Sequence, residues 1–220
     1  MNVKLIGYTP NPENLPAMAA KLTHSKTKPE DLNKSSDKEL SKILEHVIKL
    51  GHTSVVEHSI FTFAISDVSR SLTHQLVRHR MASYAQQSQR YVNLNEPNYV
   101  IPPKILKNKD MKKAYENTME NIWNQYNKLL NMGIPAEDAR YVLPNATCTN
   151  IIVTMNARSL LNFFELRCCL HAQWEIRTCA NKMLQEVKKV APTIFKNAGP
   201  QCKTKGICPE QNKDCPLYPK

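Results

Sequence analysis

Arg78-His79-Arg80 opens the stretch RHRMASYAQQSQRY, residues 78–91, and Arg90-Tyr91 closes it. From Val68 to Asn95 the chain carries Arg70, Arg78, Arg80 and Arg90 and no Asp or Glu. Guanidinium groups stay charged and present forked donors, which is the chemistry that holds phosphate or carboxylate. On a helix, neighbouring residues point about 100° apart, so three cations in a row fan out and suit an extended polyanion or two ligands meeting there. A helix dipole accounts for one or two of them, at about 0.3–1 kcal/mol each. The intervening SYAQQSQ offers small and amide side chains and reads as a hydrogen-bonding loop. Ser88 is read as a binding hydroxyl rather than a nucleophile, because no His stands at a spacing that places a base on it.

A second polar set, Asn156, Arg158, Asn162 and Arg167, is threaded through the apolar run of Leu160, Leu161, Phe163, Phe164 and Leu166. A buried guanidinium needs an anion or a carbonyl, so this set also points to a ligand. GHTSVVEH (51–58) gathers His52, Ser54, Glu57 and His58 at a helix-to-strand break without a metal-ligand spacing. His171 and Glu175, four apart, read as a polar pair on a helix. Cys202, Cys208 and Cys215 are separated by five and six residues, with neither the CxxC pairing nor the fourth ligand of a zinc site. No metal site is expected. The five glycines match neither GxGxxG nor GxxxxGK[ST], so side chains must hold any phosphate.

Stepping outward to the elements, NVKLIGY (2–8) reads as an opening strand. Ser36 and Glu39 form a capping box for an amphipathic helix over 37–50, stopped by Gly51. The β-branched and aromatic run 57–66 is a strand. A helix from Ser69 to Arg80 puts Arg78, His79 and Arg80 on its last turn. A long helix over 104–132 carries a stripe including Met119, Trp123 and Tyr126. Pro135 opens a short helix through Arg140, 148–156 is a strand, and helices follow over 157–170 and 172–190. Few strands among many helices, without a βαβ beat, predict an α+β fold with a small, mostly antiparallel sheet. The division expected is a catalytic domain over 1–191 and a Lys/Pro/Cys-rich tail over 192–220.

The 220 residues suffice for one core. No apolar run approaches the roughly 20 residues of a membrane span, and the first residues lack a signal-peptide pattern, so a cytoplasmic location is expected. Seven cysteines, an odd number, then argue for reduced thiols. The formal charge of +11 comes mostly from Lys, 22 of the 30 basic residues. Charge alone leaves open a basic nucleic-acid-binding protein or, through the tail, a Cys/His metal-binding protein.

Taken together, RHRMASYAQQS (78–88), GHTSVVEH, ARYVLP (139–144), NARSLLNFFELR (156–167) and HAQWEI (171–176) resemble, in order, the flavin-dependent thymidylate synthases (the ThyX family). That family's signature is Arg-His-Arg, seven residues, then Ser. The resemblance covers about residues 1–190 and leaves out the tail. It implies a homotetramer of α+β subunits with interfacial active sites that bind FAD. It also implies conversion of dUMP to dTMP with 5,10-methylenetetrahydrofolate as carbon source and NADPH as reductant. Hydride comes from reduced flavin, and no enzyme nucleophile is needed. By position, Ser54, Glu57, Arg78, His79, Arg80, Gln86, Asn156, Arg158 and Asn162 match flavin contacts. Gln75, Arg78, Gln86, Gln87, Ser88, Gln89, Arg90, Arg140 and Arg167 match dUMP contacts. His52 falls in the folate and flavin vicinity, and Arg167 matches the residue that acts on the pyrimidine at N3. No nucleic-acid or membrane partner is implied. The chain departs from the common form at Ala85 (often Asn), Gln86 (often Glu) and Gln89 (often Gly).

Overall fold

The computed structural model describes residues 1–219. The chain runs β1 (Asn2–Tyr8), α1 (Asn14–Leu22), α2 (Asp37–Lys49), β2 (Ile60–Ser69), α3 (Arg70–Leu76), β3 (Ser83–Gln86), α4 (Pro103–Leu106), α5 (Lys109–Asn131), α6 (Ala136–Ala139), β4 (Cys148–Asn156), α7 (Ala157–Arg167), α8 (Trp174–Val190), α9 (Pro192–Phe195) and α10 (Gln201–Thr204). The strands make one antiparallel sheet in the order β1-β2-β4-β3, which is the expected α+β class. Period-two burial selects its core face: Phe61, Phe63 and Ile65 on β2, and Thr149, Ile151, Val153 and Met155 on β4.

Two compact units divide the chain. The first holds residues 1–2, 65–78 and 84–152. Within it the α5 stripe buries Met119, Trp123 and Tyr126 as the sequence predicts. Trp123 Nε1 donates to the Leu94 carbonyl at 2.9 Å, so this core also fixes the segment after residue 91. The long helix expected over 104–132 is interrupted. Asn108 leaves helical geometry and its side chain accepts from the Asp110 and Met111 amides, because Asn satisfies a helix start better than it continues one.

The second unit holds 3–64, 79–83 and the chain from Val153 onward. Ser36 caps α2 by accepting from Glu39 N, and Gly51 takes the positive φ of 76° that ends it. Asn156 caps α7, accepting from Ser159 N. The tail after residue 191 is tied into this unit. Phe195 is fully buried, edge-on to Phe61 and Phe164 with ring centroids 5.5 and 5.9 Å apart. Glu13 accepts from Thr193 N, Thr193 Oγ1 and Ile194 N, placing a carboxylate at the start of α9. Among the described residues no helix is long and apolar enough to cross a membrane.

Candidate functional site

The sequence places Arg78-His79-Arg80 on the last turn of a helix, but α3 ends at Leu76 and the three residues lie beyond it. The cause is local. Tyr84 Oη donates to the Leu76 carbonyl at 2.8 Å, capping an acceptor that a further helical turn would need. Burial raises the Tyr84 phenol to about 12, which keeps it a donor. The stretch expected as a loop supplies strand β3, with Tyr84 and Gln86 half-buried and Ser83 and Ala85 exposed.

In the first unit several residues matched to dUMP contacts in the sequence lie along β3 and the turn after it. Gln86 Nε2 donates to Thr73 Oγ1 and Thr149 Oγ1 at 3.2 and 3.3 Å, so this amide is engaged within the fold. Gln87 is held by Asn150 through its backbone N–H at 2.9 Å and its side-chain oxygen at 3.1 Å. Ser88 Oγ accepts from Arg90 N at 3.1 Å, the bond of a serine turn that sets the direction of Arg90. Gln75 lies on the last turn of α3, and Gln89 sits in the serine turn. Arg78 is exposed.

Arg90 finds a carboxylate from outside its own stretch. No carboxylate stands near it in sequence, yet its Nε donates to Glu137 Oε2 at 2.9 Å, 47 residues away. Arg140 Nε donates to the carbonyl of the same Glu137 at 2.9 Å. The Arg70 guanidinium is lowered from its usual pKa, first by burial and then by the charge of Arg140. Arg90 thus pairs with the Glu137 carboxylate, Arg140 with its backbone carbonyl, and Arg70 lies within electrostatic reach of Arg140, so positive charge exceeds the one carboxylate here, as suits a phosphate. Glu137 reads in sequence only as an acidic residue at a helix start, and nothing local signals its pairing with Arg90.

In the second unit Arg167 and His79 come together. Arg167 Nε donates to His79 Nε2 at 3.0 Å, and the imidazole stands edge-on to Phe163 at 4.8 Å. Burial first, then the Arg167 charge, push the His79 pKa down to about 4. His79 is therefore neutral at pH 7 and accepts with its lone pair. Burial also lowers Arg167 from its usual value, but an arginine stays charged in such a setting. Arg80 follows, exposed.

Ser54 and Glu57 ride on a 3-10 turn, Thr53–His58, with His52 just before it. The Ala157 amide donates to the Ser59 carbonyl at 2.8 Å, which ties the end of this turn to the start of α7 and lets Glu57 pair with Arg158. Both partners are about half exposed, so the pair adds little stability, about 0–1 kcal/mol. Arg158 and Asn162 line a groove of about 850 Å³, within the usual range of ligand sites. Its wall also carries Lys49, Lys196 and Lys205, with Ile48, Leu161 and Ile194 supplying apolar surface. Those lysines belong to no motif, and sequence reading missed them. Glu45 and Glu165 line it too, and Glu165 pairs with Lys205, which leaves Lys49, Arg158 and Lys196 beside an amide and an apolar wall, a lining that fits a ligand with phosphates and flat rings.

The fold is shared with a solved UMP/dUMP methylase from Streptomyces cacaoi bound with 5-Br dUMP: the TM-score is 0.77 at 23% identity, over 89% of this chain and 93% of the other. This sheet and its helices therefore define the architectural class of that methylase. The family model Thy1, thymidylate synthase complementing protein, matches residues 4–193. The flavin-dependent thymidylate synthase of Clostridium tetani is 50% identical over 232 residues, covering 98% of this chain and 93% of its own. That of Geobacter sulfurreducens is 48% identical over 218 residues, covering 98% and 94%. The chain belongs to the Thy1 family, that of the flavin-dependent thymidylate synthases.

Proposed function

We propose that this chain is a flavin-dependent thymidylate synthase that methylates dUMP to dTMP, with 5,10-methylenetetrahydrofolate as carbon source, NADPH as reductant and FAD as cofactor. The observation that carries the reading is the family match across residues 4–193, which includes the Arg-His-Arg and Ser88 signature and Arg167. The nucleic-acid-binding alternative finds no support in that match.

The donor set fits the flavin. Arg158, Asn162 and the lysines of the 850 Å³ groove would hold a dinucleotide, joined by Ser54, Glu57, Asn156 and the Arg78-His79-Arg80 segment, with His52 beside them. Bound FAD, once reduced, supplies hydride to the pyrimidine. Arg90, Arg140 and Arg70 receive the dUMP phosphate, with Ser88 directing Arg90 and Gln75, Arg78, Gln87 and Gln89 completing the nucleotide contacts. Gln86 acts through the fold, holding β3 by its two threonine bonds.

Arg167 faces the pyrimidine and stabilises negative charge at N3, which activates the ring. A fixed guanidinium in a half-buried site does this without moving a proton. His79 orients it: its neutral Nε2 takes the Nε–H, leaving the amino groups of the guanidinium to face the base. Ser88 binds and does not attack.

The active unit is a homotetramer. Met81, Tyr91 and Tyr141 are 75%, 80% and 83% exposed, each beside a motif arginine in sequence. Large side chains left uncovered next to a binding segment support the reading of a subunit interface. The catalytic part spans 1–191, the tail 192–220 packs onto it through Phe195, and the enzyme works in the cytoplasm. The test is dTMP formation from dUMP with each of FAD, NADPH and the folate omitted in turn, alongside light scattering for mass. Product only in the complete mixture, from a tetramer, supports the reading. Product that does not depend on FAD refutes it.

A further inference from the structure

The reaction leaves the tail cysteines without a role, and the second unit brings them a fourth thiol. Cys202 lies on α10, Cys208 and Cys215 in the turns after it, and Cys169 just past α7. All four line one cavity of about 70 Å³. Cys169, Cys208 and Cys215 also line a neighbouring cavity of about 240 Å³. All four are free thiols of intermediate burial. The remaining cysteines differ. Cys168 and Cys179 are pushed up to about 12 by burial and serve as packing, while Cys148 lines another cavity, in the first unit.

We propose that Cys169, Cys202, Cys208 and Cys215 form a tetrathiolate site for a zinc-class divalent cation that clasps the tail to the end of α7. Four soft sulfur donors select zinc over magnesium or calcium, and four cysteines are the full ligand set of a closed structural site. Leu166, Leu170 and Leu217 wall the cavity, and its two carboxylates, Glu165 and Glu210, are paired with Lys205 and His171, which leaves the thiols as its open donors. The space suits one ion, not an organic molecule. Binding releases the four thiol protons and leaves a net charge of −2. Lys203 and Lys213 stand in the same segment to offset it.

The spacing hid this site because the fourth thiol comes from 33 residues upstream of Cys202. Among the described residues no three His, Cys, Asp or Glu side chains are already arranged to hold an ion. Capture must therefore draw the thiols inward. The turns after α10, with positive φ at Gly206 and Gln211, are the part that moves. Glu165 and Leu166 line the cavity and adjoin Arg167, and Lys205 of the tail pairs with Glu165 at 2.8 Å. The clasp thus steadies one wall of the groove, a consequence that rests on the flavin reading above.

The test uses the full chain, purified reduced and without added metal. Elemental analysis follows zinc addition, and a visible spectrum follows anaerobic cobalt addition. One ion per chain is expected, with the intense sulfur-to-cobalt bands of a tetrahedral thiolate site. Cys202→Ser, Cys208→Ser and Cys215→Ser should each lose it, and Cys148→Ser should keep it. If the serine variants do not fold, the cobalt spectrum of the unaltered chain decides alone. A chain that takes up FAD but neither metal overturns the clasp and leaves the flavin reading standing. A chain that binds the ion and no FAD does the reverse.

Discussion

His79 makes a prediction with a sign and a size. In the fold its pKa is pushed down to about 4 from an ordinary 6.5, by burial first and the Arg167 charge second. Between those values the unfolded chain binds more protons than the folded one, so stability rises with pH across the window and is lost as pH falls through it. Each pH unit of depression is worth about 1.4 kcal/mol, so the whole gap corresponds to roughly 3 kcal/mol. His79 is only partly buried, and solvent screening reduces the expected contribution to about 2 kcal/mol. His79→Gln keeps an acceptor for Arg167 Nε and removes the titration. Urea midpoints of both proteins, at one protein concentration from about pH 4 to 7, give the comparison. Wild type should lose about 2 kcal/mol more than the variant on acidification. Parallel profiles would show that the fold does not hold His79 neutral, and the lone-pair clamp on Arg167 would fall with it.

Arg167→Ala should retain FAD, read from visible absorbance, while dTMP formation drops on the order of 10²–10³-fold, the loss expected for a group that stabilises developing charge; near-normal turnover would contradict its role. Glu137→Gln frees Arg90 from its carboxylate, so half-saturation by dUMP should fall roughly threefold, on the scale of an exposed ion pair. A rise in half-saturation would mean that Glu137 positions Arg90 rather than competing for it. Phe195→Ala removes a fully buried ring and should cost about 3–5 kcal/mol in unfolding experiments. A loss below about 1 kcal/mol would show that the tail is not part of the core.

Local chemistry was readable in the sequence wherever a few neighbouring residues decide it. Ser36 with Glu39 and Gly51 bound α2 as expected, alternation marks β4 over Cys148–Asn156, and the α5 stripe buries the residues it names. Contacts distant in sequence were not readable. Tyr84 stops α3 from eight residues away, Glu137 reaches Arg90 across 47 residues, and Glu13 holds Thr193 across 180. Periodicity carries no information on such pairs, because each is set by how elements pack rather than by what flanks them. The same reason separates the two readings of the tail. Its cysteine spacing is weak alone, and only the cavity shows that Cys169 joins them. For the site, the sequence named Arg90 and Arg140, which meet on Glu137 in one unit, and the residues of the Arg167–His79 pair and part of the groove in the other. It missed the carboxylate and the lysines.

The most direct test of the account is the visible spectrum of the purified protein, supplemented with FAD, recorded before and after anaerobic NADPH and again after dUMP. The account predicts a yellow protein whose flavin bands bleach on reduction, and an oxidised spectrum that shifts when dUMP enters. A protein that stays colourless after incubation with FAD would contradict the central claim.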